Sequence, residues 1–252
     1  MSTSEPGSNL SLSVSHELGK QIINGFFGPH RGLPTEAELG AQFGVSRSVV
    51  REAIKMLAAK GLLTSKPRQG ISILPQDQWN IFDPDLLNWS LESNPSLALL
   101  REFLQVRKAI EPEAAALAAE FASEEKILAI GDALEAMTLA SDRDLNTQLD
   151  ADIAFHTAIL YATENRFYIR LRDFTQTALR VSIRHTSSLK NDYPATLIEH
   201  HKVYGAIASR QPEEAKQAMY MLVEDALRLI DQQLKQPGAP SPAAEEMTLT
   251  QD

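Results

Sequence analysis

The sequence predicts a mainly α-helical protein in two parts: a small N-terminal helix-turn-helix completed by a β-hairpin, and a larger C-terminal bundle of six or seven helices. Three observations carry that prediction. The length, 252 residues, exceeds what one compact core usually needs. The net charge of −9 conceals a division: residues 1–75 hold eight Lys and Arg against five Asp and Glu, whereas the remaining 177 hold sixteen against twenty-eight. Apolar residues recur at three- and four-residue steps almost throughout, and strand-like runs occur only between residues 62 and 74.

Taken in order, Leu10, Val14, Leu18 and Ile22, followed by Gly25 or Phe26, form the apolar stripe of a first helix over residues 10–25. Gly25, Gly28, Pro29 and Gly32 break it. A second helix opens at Thr35, whose hydroxyl pairs with Glu38 in a capping box, and Gly44 is placed to end it with positive φ. Ser46 is the N-cap of a third helix that runs to about Lys60 and closes at Gly61. Val50, Ala53, Ile54 and Leu57 give this helix an inward face, and Arg47, Arg51 and Lys55, four apart with Ser48 beside them, give it a basic outward face. Leu62–Ser65 and Ile71–Leu74 read as two short strands around Lys66-Pro67-Arg68-Gln69-Gly70, a turn with two cations.

Two short helices joined by a glycine turn, followed by a basic hairpin, match a winged helix-turn-helix that presents its second helix to the major groove of DNA. Between residues 45 and 70 six cations face a single acid, Glu52, the electrostatic footprint of a nucleic-acid-binding module on an acidic body. The expected DNA-facing set is Thr35, Ser46, Arg47, Ser48 and Arg51 with Arg68, Gln69 and Gly70 of the wing. Whether Arg47 or Arg51 reaches a guanine edge or a phosphate is open at this stage.

Residues 76–95, with Trp79, Phe82, Leu86, Leu87 and Trp89, are too apolar for a loose linker and are expected to dock between domains. Helical stretches follow at 96–121, 124–140, 144–163, 166–187, 194–209 and 212–235, with Pro112 expected to kink or divide the first of them. The helical domain is bounded at 96–236, and residues 237–252 read as a disordered tail.

Inside the bundle, Asp152 and His156 lie four apart on one helix face, and His200 opens a later helix. A carboxylate with two imidazoles suits Zn²⁺, Ni²⁺ or Mn²⁺, and the same spacing also suits a helix ion pair or a hydrogen-bonded core histidine. Arg107, among Phe103, Leu104, Val106 and Ile110, is the first choice to bond a carboxylate ligand; Asn165, Arg180 and Arg184 are further candidates. The absence of cysteine excludes disulfides, thiolate catalysis and Cys-ligated metals. No apolar run spans a bilayer and no secretory leader is legible, so a cytoplasmic location is expected.

The stretch Leu33-Pro34-Thr35-Glu36-Ala37-Glu38-Leu39, Phe43-Gly44-Val45-Ser46-Arg47, Val50-Arg51-Glu52-Ala53, Leu57, Gly61-Leu62 and Gly70 resembles the DNA-binding half of the GntR transcription factors. Arg107 with Glu111, the run Asp152-Ile153-Ala154-Phe155-His156, Asn165, Glu199-His200 and Ala206-Ile207 resemble the FCD effector domain of their FadR subgroup. The resemblance implies a homodimeric repressor on a palindromic operator, released by a small carboxylate. It also implies a metal held by one aspartate and three histidines, of which Asp152, His156 and His200 are present while the fourth position falls on Leu222. His201 and His185 are the nearby substitutes. Within the subgroup the residues Leu18–Ile23, Trp79-Asn80, Asp85-Leu86-Leu87 and Trp89 look most like its galactonate-responsive members, which makes a sugar acid the expected effector, with lactate, hexuronates and dicarboxylates as alternatives. Two other classes compete: a metal-dependent enzyme built on the Asp and two His, and an architectural DNA-binding protein whose bundle only dimerises. No general base stands by motif near the three ligands, and a catalytic domain does not need a winged helix, so no enzymatic activity is expected.

Overall fold

The computed structural model describes residues 6–27, 32–66, 70–93, 97–172, 174–177, 179–180, 182–183 and 192–235. The chain forms two compact units, the first ending at Asn94 and the second beginning at Pro95.

In the first unit α1 (Pro6–Ile23) packs on α3 (Arg47–Ala59), α2 (Glu36–Phe43) lies against α3, and β1 (Leu63–Lys66) pairs antiparallel with β2 (Gly70–Ile73). The capping box at Thr35 is present, and Gly44 ends α2 at φ 65. Val50, Ala53, Ile54 and Leu57 of α3 are buried, so the division of that helix into an inner and an outer face holds. Ser46 sits in the N-cap position but makes no capping bond; its hydroxyl is 2.8 Å from that of Ser48 instead. The hairpin register joins Lys66 to Gly70, one residue later at the first strand and one earlier at the second than the sequence suggests. Arg68 and Gln69 lie outside the described residues.

Two expectations for this unit need correction. Leu10 is 49% exposed although it continues the apolar period of α1. The buried face instead runs through Ser11, Val14, Ser15, Leu18 and Gly19 to Ile22. The reason is a helix the sequence reading did not separate, α4 (Pro84–Ser93), which packs against α1. A Cβ on Gly19 would stand 2.4 Å from the Trp89 ring, so only glycine allows that approach. Residues 76–93 therefore belong to the first unit, where Trp79, Ile81, Leu86 and Trp89 pack into its core. Trp79 donates its indole N–H to the Leu74 carbonyl, and the Asn80 amide donates to the Lys60 carbonyl. Lys60 Nζ is 2.8 Å from both Asp83 and Asp85.

The second unit consists, among the described residues, of helices only: α5 (Leu97–Phe121), α6 (Glu124–Leu139), α7 (Leu145–Ala162), α8 (Arg166–Arg170), the helical residues 172, 174–177, 179–180 and 182–183 (α9), α10 (Tyr193–Ala208) and α11 (Pro212–Leu234). The α5 and α11 helices pack along each other, α6 packs on α7, and α10 closes against α11, α6 and α5. Small residues Ala114, Ala115, Ala118 and Ala119 let helices approach α5 closely, and Phe155, Leu134, Met137, Val203 and Val223 fill the space between. Pro112 does not divide α5, which continues through it with the proline itself buried; packing along the helix outweighs one lost ladder bond. The stretch expected as one helix at 166–187 is broken at Leu171, whose amide turns to the Tyr168 and Phe167 carbonyls. The tail at 237–252 lies outside the described residues.

Candidate functional site

The chain offers two sites, one in each unit. On the first, the outer face of α3 carries Arg47, Ser48, Arg51 and Lys55, all exposed, opposite the buried Val50 and Leu57. Thr35, Ser46 and Gly70 are also exposed. The cations are therefore neither turned into the interior nor consumed by packing. Arg51 is partly engaged: its Nε and Nη2 donate to the two oxygens of Glu36 at 3.2 and 2.8 Å. That hydrogen bond holds the Glu36 carboxyl below its ordinary pKa, with the charge of Arg47 adding to the effect. A helix with free and preset guanidinium groups on one face and a short hairpin beside it has the shape and charge to sit in a major groove.

In the second unit the side chains singled out on three helices converge. Asp152 and His156 come from α7, His200 from α10, and Arg107 from α5, each 6% exposed or less. Asp152 Oδ1 is 3.2 Å from His156 Nε2 and 3.5 Å from His200 Nε2. Despite that proximity neither Asp152 Oδ1 nor His200 Nε2 makes a hydrogen bond among the described residues. Buried polar atoms without partners are costly, and these two face each other. The far side of each ring is anchored. His200 Nδ1 is 2.8 Å from the Thr196 carbonyl, and His156 Nδ1 is 2.9 Å from Glu111 Oε2. For His200, Nδ1 donating outward turns the lone pair of Nε2 inward, the arrangement a metal-binding histidine needs, whereas His156 Nε2 also has Arg107 Nη2 at 3.3 Å. The three ligand atoms lie within 4.8 Å of one another, and the donor set of one carboxylate and two imidazoles fits a divalent ion with positions left for other ligands.

Burial would raise the pKa of Asp152, but the neighbouring charges of His200 and His156 hold it well below the usual carboxylate range. For His156 burial acts to lower the pKa, and the Glu111 carboxylate outweighs it, so the group stands above its ordinary value. Glu111 itself is held at about 2: burial would raise it, and the charges of Arg107 and His156 prevail.

Glu111 is a member of this site that residue-by-residue reading left without a role. It takes Arg107 side-on, Nε to Oε1 at 2.6 Å and Nη2 to Oε2 at 3.0 Å, while reaching His156 with the same carboxylate. An Arg and a Glu four apart look like any surface helix pair; only the packing shows both to be about 4% exposed. Arg107 Nη1 remains unused by that pair, so the guanidinium can still present an edge to a carboxylate.

Arg180 and Asn165, also expected as effector contacts, are not in this cluster. Arg180 is exposed and paired with Asp150 at 2.8 Å. Asn165 is the N-cap of α8, its side chain accepting from the Phe167 amide. Arg184 and His185 lie outside the described residues. His201 is exposed, as its position one residue out of phase with His200 requires. Leu222 is buried in the apolar core that also contains Phe155. Tyr193, also unforeseen, lies close enough to Asp152 to feel its charge. Burial and that charge push the phenol up to about 12, and its hydroxyl donates to the Met137 carbonyl.

Residues 10–73 match the family described as bacterial regulatory proteins, gntR family, and residues 102–225 match the FCD domain. The chain is 34% identical to the galactonate operon transcriptional repressor of Escherichia coli K12 over 212 residues, 84% of this chain and 92% of that protein. It is 31% identical to the transcriptional regulator LutR of Bacillus subtilis 168, over 79% of this chain and 90% of that one. It is 29% identical to the Uxu operon regulator of Haemophilus influenzae, over 84% and 78%. Among solved structures, Lar, which controls expression of the Listeria monocytogenes agr system, has a similar fold: TM-score 0.63 at 20% identity, covering 92% of this chain and 99% of that one.

Proposed function

Because the chain belongs to the GntR family of bacterial regulatory proteins and carries an FCD domain, and because its relatives are transcription regulators rather than enzymes, we propose that it represses a sugar-acid catabolic operon and leaves its operator when a sugar acid binds the helical unit. The observation that carries this reading is the buried Arg107, Glu111, Asp152, His156 and His200 cluster, in a chain whose first unit presents an exposed cationic helix face. The relatives named for galactonate, uxu and similar operons support a hydroxylated carboxylate as the ligand class. The DNA face is Arg47, Ser48 and Arg51, flanked by Thr35 and Ser46, with the wing from Arg68 through Gln69 to Gly70.

Asp152, His156 and His200 would hold a divalent ion, Zn²⁺, Ni²⁺ or Mn²⁺. Such an ion supplies a Lewis-acidic centre for carboxylate and hydroxyl oxygens. With Leu222 in the fourth position no fourth side-chain ligand joins the three among the described residues, which suits a ligand that contributes its own oxygens. Arg107, fixed by Glu111, bonds the ligand carboxylate through its free edge. The protein acts in the cytoplasm as a homodimer, and effector binding works only through its preference for one arrangement of the dimer over another.

Fluorescence anisotropy with a duplex from immediately upstream of its own coding region tests the proposal. Binding is expected to weaken steeply with salt, to weaken with Arg47→Ala, and to be released by galactonate or a hexuronate in preference to lactate. Affinity indifferent to salt and to Arg47 overturns the DNA assignment; retention of DNA in the presence of every sugar acid overturns the effector class.

A further inference from the structure

The two arginines on the outer face of α3 are held differently. Arg47, the first residue of the helix, is exposed and its side chain makes no hydrogen bond among the described residues, whereas Arg51, one turn later, is gripped side-on by Glu36. This pairing uses one N–H of Nε and one of Nη2, and leaves both hydrogens of Nη1 and the second of Nη2 at the far end of the fork. Glu36 is the first residue of α2 and keeps 32% of its side chain exposed; Arg51 keeps 61%.

A carboxylate on a surface that meets DNA repels phosphate unless it does something else. In a helix-turn-helix the second helix enters the groove by its N-terminal end while the first crosses the sugar-phosphate backbone. Arg47 leads into the groove, and Arg51, tied to the start of α2, stays where that helix crosses the strand. The pair lines a groove of about 650 Å³ whose walls also include Lys55 of α3, which is paired with Glu52 at 3.2 Å, and Thr64 and Ser65 of β1, whose hydroxyls can donate to phosphate oxygens.

We propose that Glu36 is a positioning residue that sets Arg51 as a phosphate clamp at the rim of the major groove, leaving Arg47 to search the base edges. The carboxylate removes the rotational freedom of a long side chain before DNA arrives and turns the unused end of the guanidinium toward the strand. This rests on the DNA-binding reading above and adds a role for an acid that charge alone would class as unfavourable.

The test measures binding of the full chain to the upstream duplex and to a scrambled duplex of equal length across a range of salt. Glu36→Gln is expected to weaken both by the same several-fold factor without reducing the salt slope. Arg51→Ala weakens both and lowers the slope by about one. Adding Glu36→Gln to Arg51→Ala costs nothing further. Arg51→Lys, which keeps the charge but cannot be held side-on, behaves like Glu36→Gln. Tighter or unchanged binding by Glu36→Gln overturns the proposal, because the carboxylate then only repels. Weakening confined to the upstream duplex also overturns it, because Arg51 then reads a base. A wild-type chain with no preference for the upstream duplex defeats the operator assignment alone, since the scrambled duplex still decides the role of Glu36. Binding to neither defeats both.

Discussion

Asp152 and His200 bring two buried, unbonded atoms face to face, so their substitution separates a metal ligand from a core polar residue. Asp152→Ala, His156→Ala and His200→Ala are each expected to lower Zn²⁺ affinity by far more than tenfold in titration calorimetry, while His201→Ala, one residue away and exposed, leaves it unchanged. Equal losses for His200 and His201 would remove the case for the site. Arg107→Ala is expected to abolish release of DNA by the sugar acid, and Arg180→Ala to leave it intact, because the second guanidinium is spent on Asp150 at the surface. Removing one partner of the buried Arg107 and Glu111 pair strands a charge, so Glu111→Ala should cost about 3–5 kcal/mol in urea denaturation, and Glu111→Leu with Arg107→Met together should cost less. At this scale the sequence was unevenly readable. Asp152 and His156 show themselves by four-residue spacing on one helix. His200 comes from a distant helix, so its place beside the other two rests on residue type and the family pattern rather than on any local spacing. Glu111 and Tyr193 acquire their roles from burial and proximity, which no local spacing encodes.

Helices α1, α3 and α4 show what an element demands beyond its own period. The stripe of α1 was visible through Val14, Leu18 and Ile22, yet its buried face also takes in Ser11, Ser15 and Gly19, small residues with no apolar signal, and Gly19 meets Trp89 of α4. Their value lies in how close a neighbour comes, which is a property of the pair of helices. Gly19→Ala therefore tests packing against propensity. Alanine is favoured over glycine in a helix by about 1 kcal/mol, but overpacking against Trp89 costs about 1–3 kcal/mol. The variant should melt lower than wild type, and a smaller residue at Trp89 should restore part of the loss. A higher melting point would mean that the helices part easily. Lys60, at the C-terminal end of α3, ties that helix to the start of α4 through Asp83 and Asp85. Burial acts to lower its pKa, and the hydrogen bonds to the two carboxylates outweigh that and raise it. A raised lysine contributes stability that is fully present below its unfolded pKa of about 10.4 and is lost as the pH rises through the folded value. Lys60→Met should cost about 1–3 kcal/mol at neutral pH, with the gap to wild type constant up to about pH 9 and closing above it. A gap that stays constant into strong alkali would show that the ammonium adds nothing beyond its stem.

Both tryptophans of the chain, Trp79 and Trp89, belong to the first unit, whereas all the metal and effector candidates belong to the second. Tryptophan fluorescence therefore follows the DNA-binding unit alone, and far-ultraviolet dichroism follows chiefly the larger helical unit. A ligand that binds only folded protein stabilises it by about 2.7 kcal/mol at a hundred times its Kd. Zn²⁺ with sugar acid should thus raise the dichroism midpoint, and Asp152→Ala should abolish the rise. Regulation asks for more than stabilisation, because energy that stays inside the second unit cannot change what the first does to DNA. Linkage makes the requirement quantitative: if effector weakens operator binding by some factor, operator must weaken effector binding by that same factor. A useful switch needs about 5- to 150-fold. Effector affinity measured by calorimetry on the free protein and on protein saturated with the upstream duplex should differ by the factor seen in anisotropy, in the weakening direction. Equal affinities in the two states would mean that the bound acid is not the signal. The helical unit would then only join two winged helices, and the buried arginine, carboxylates and imidazoles would need another explanation.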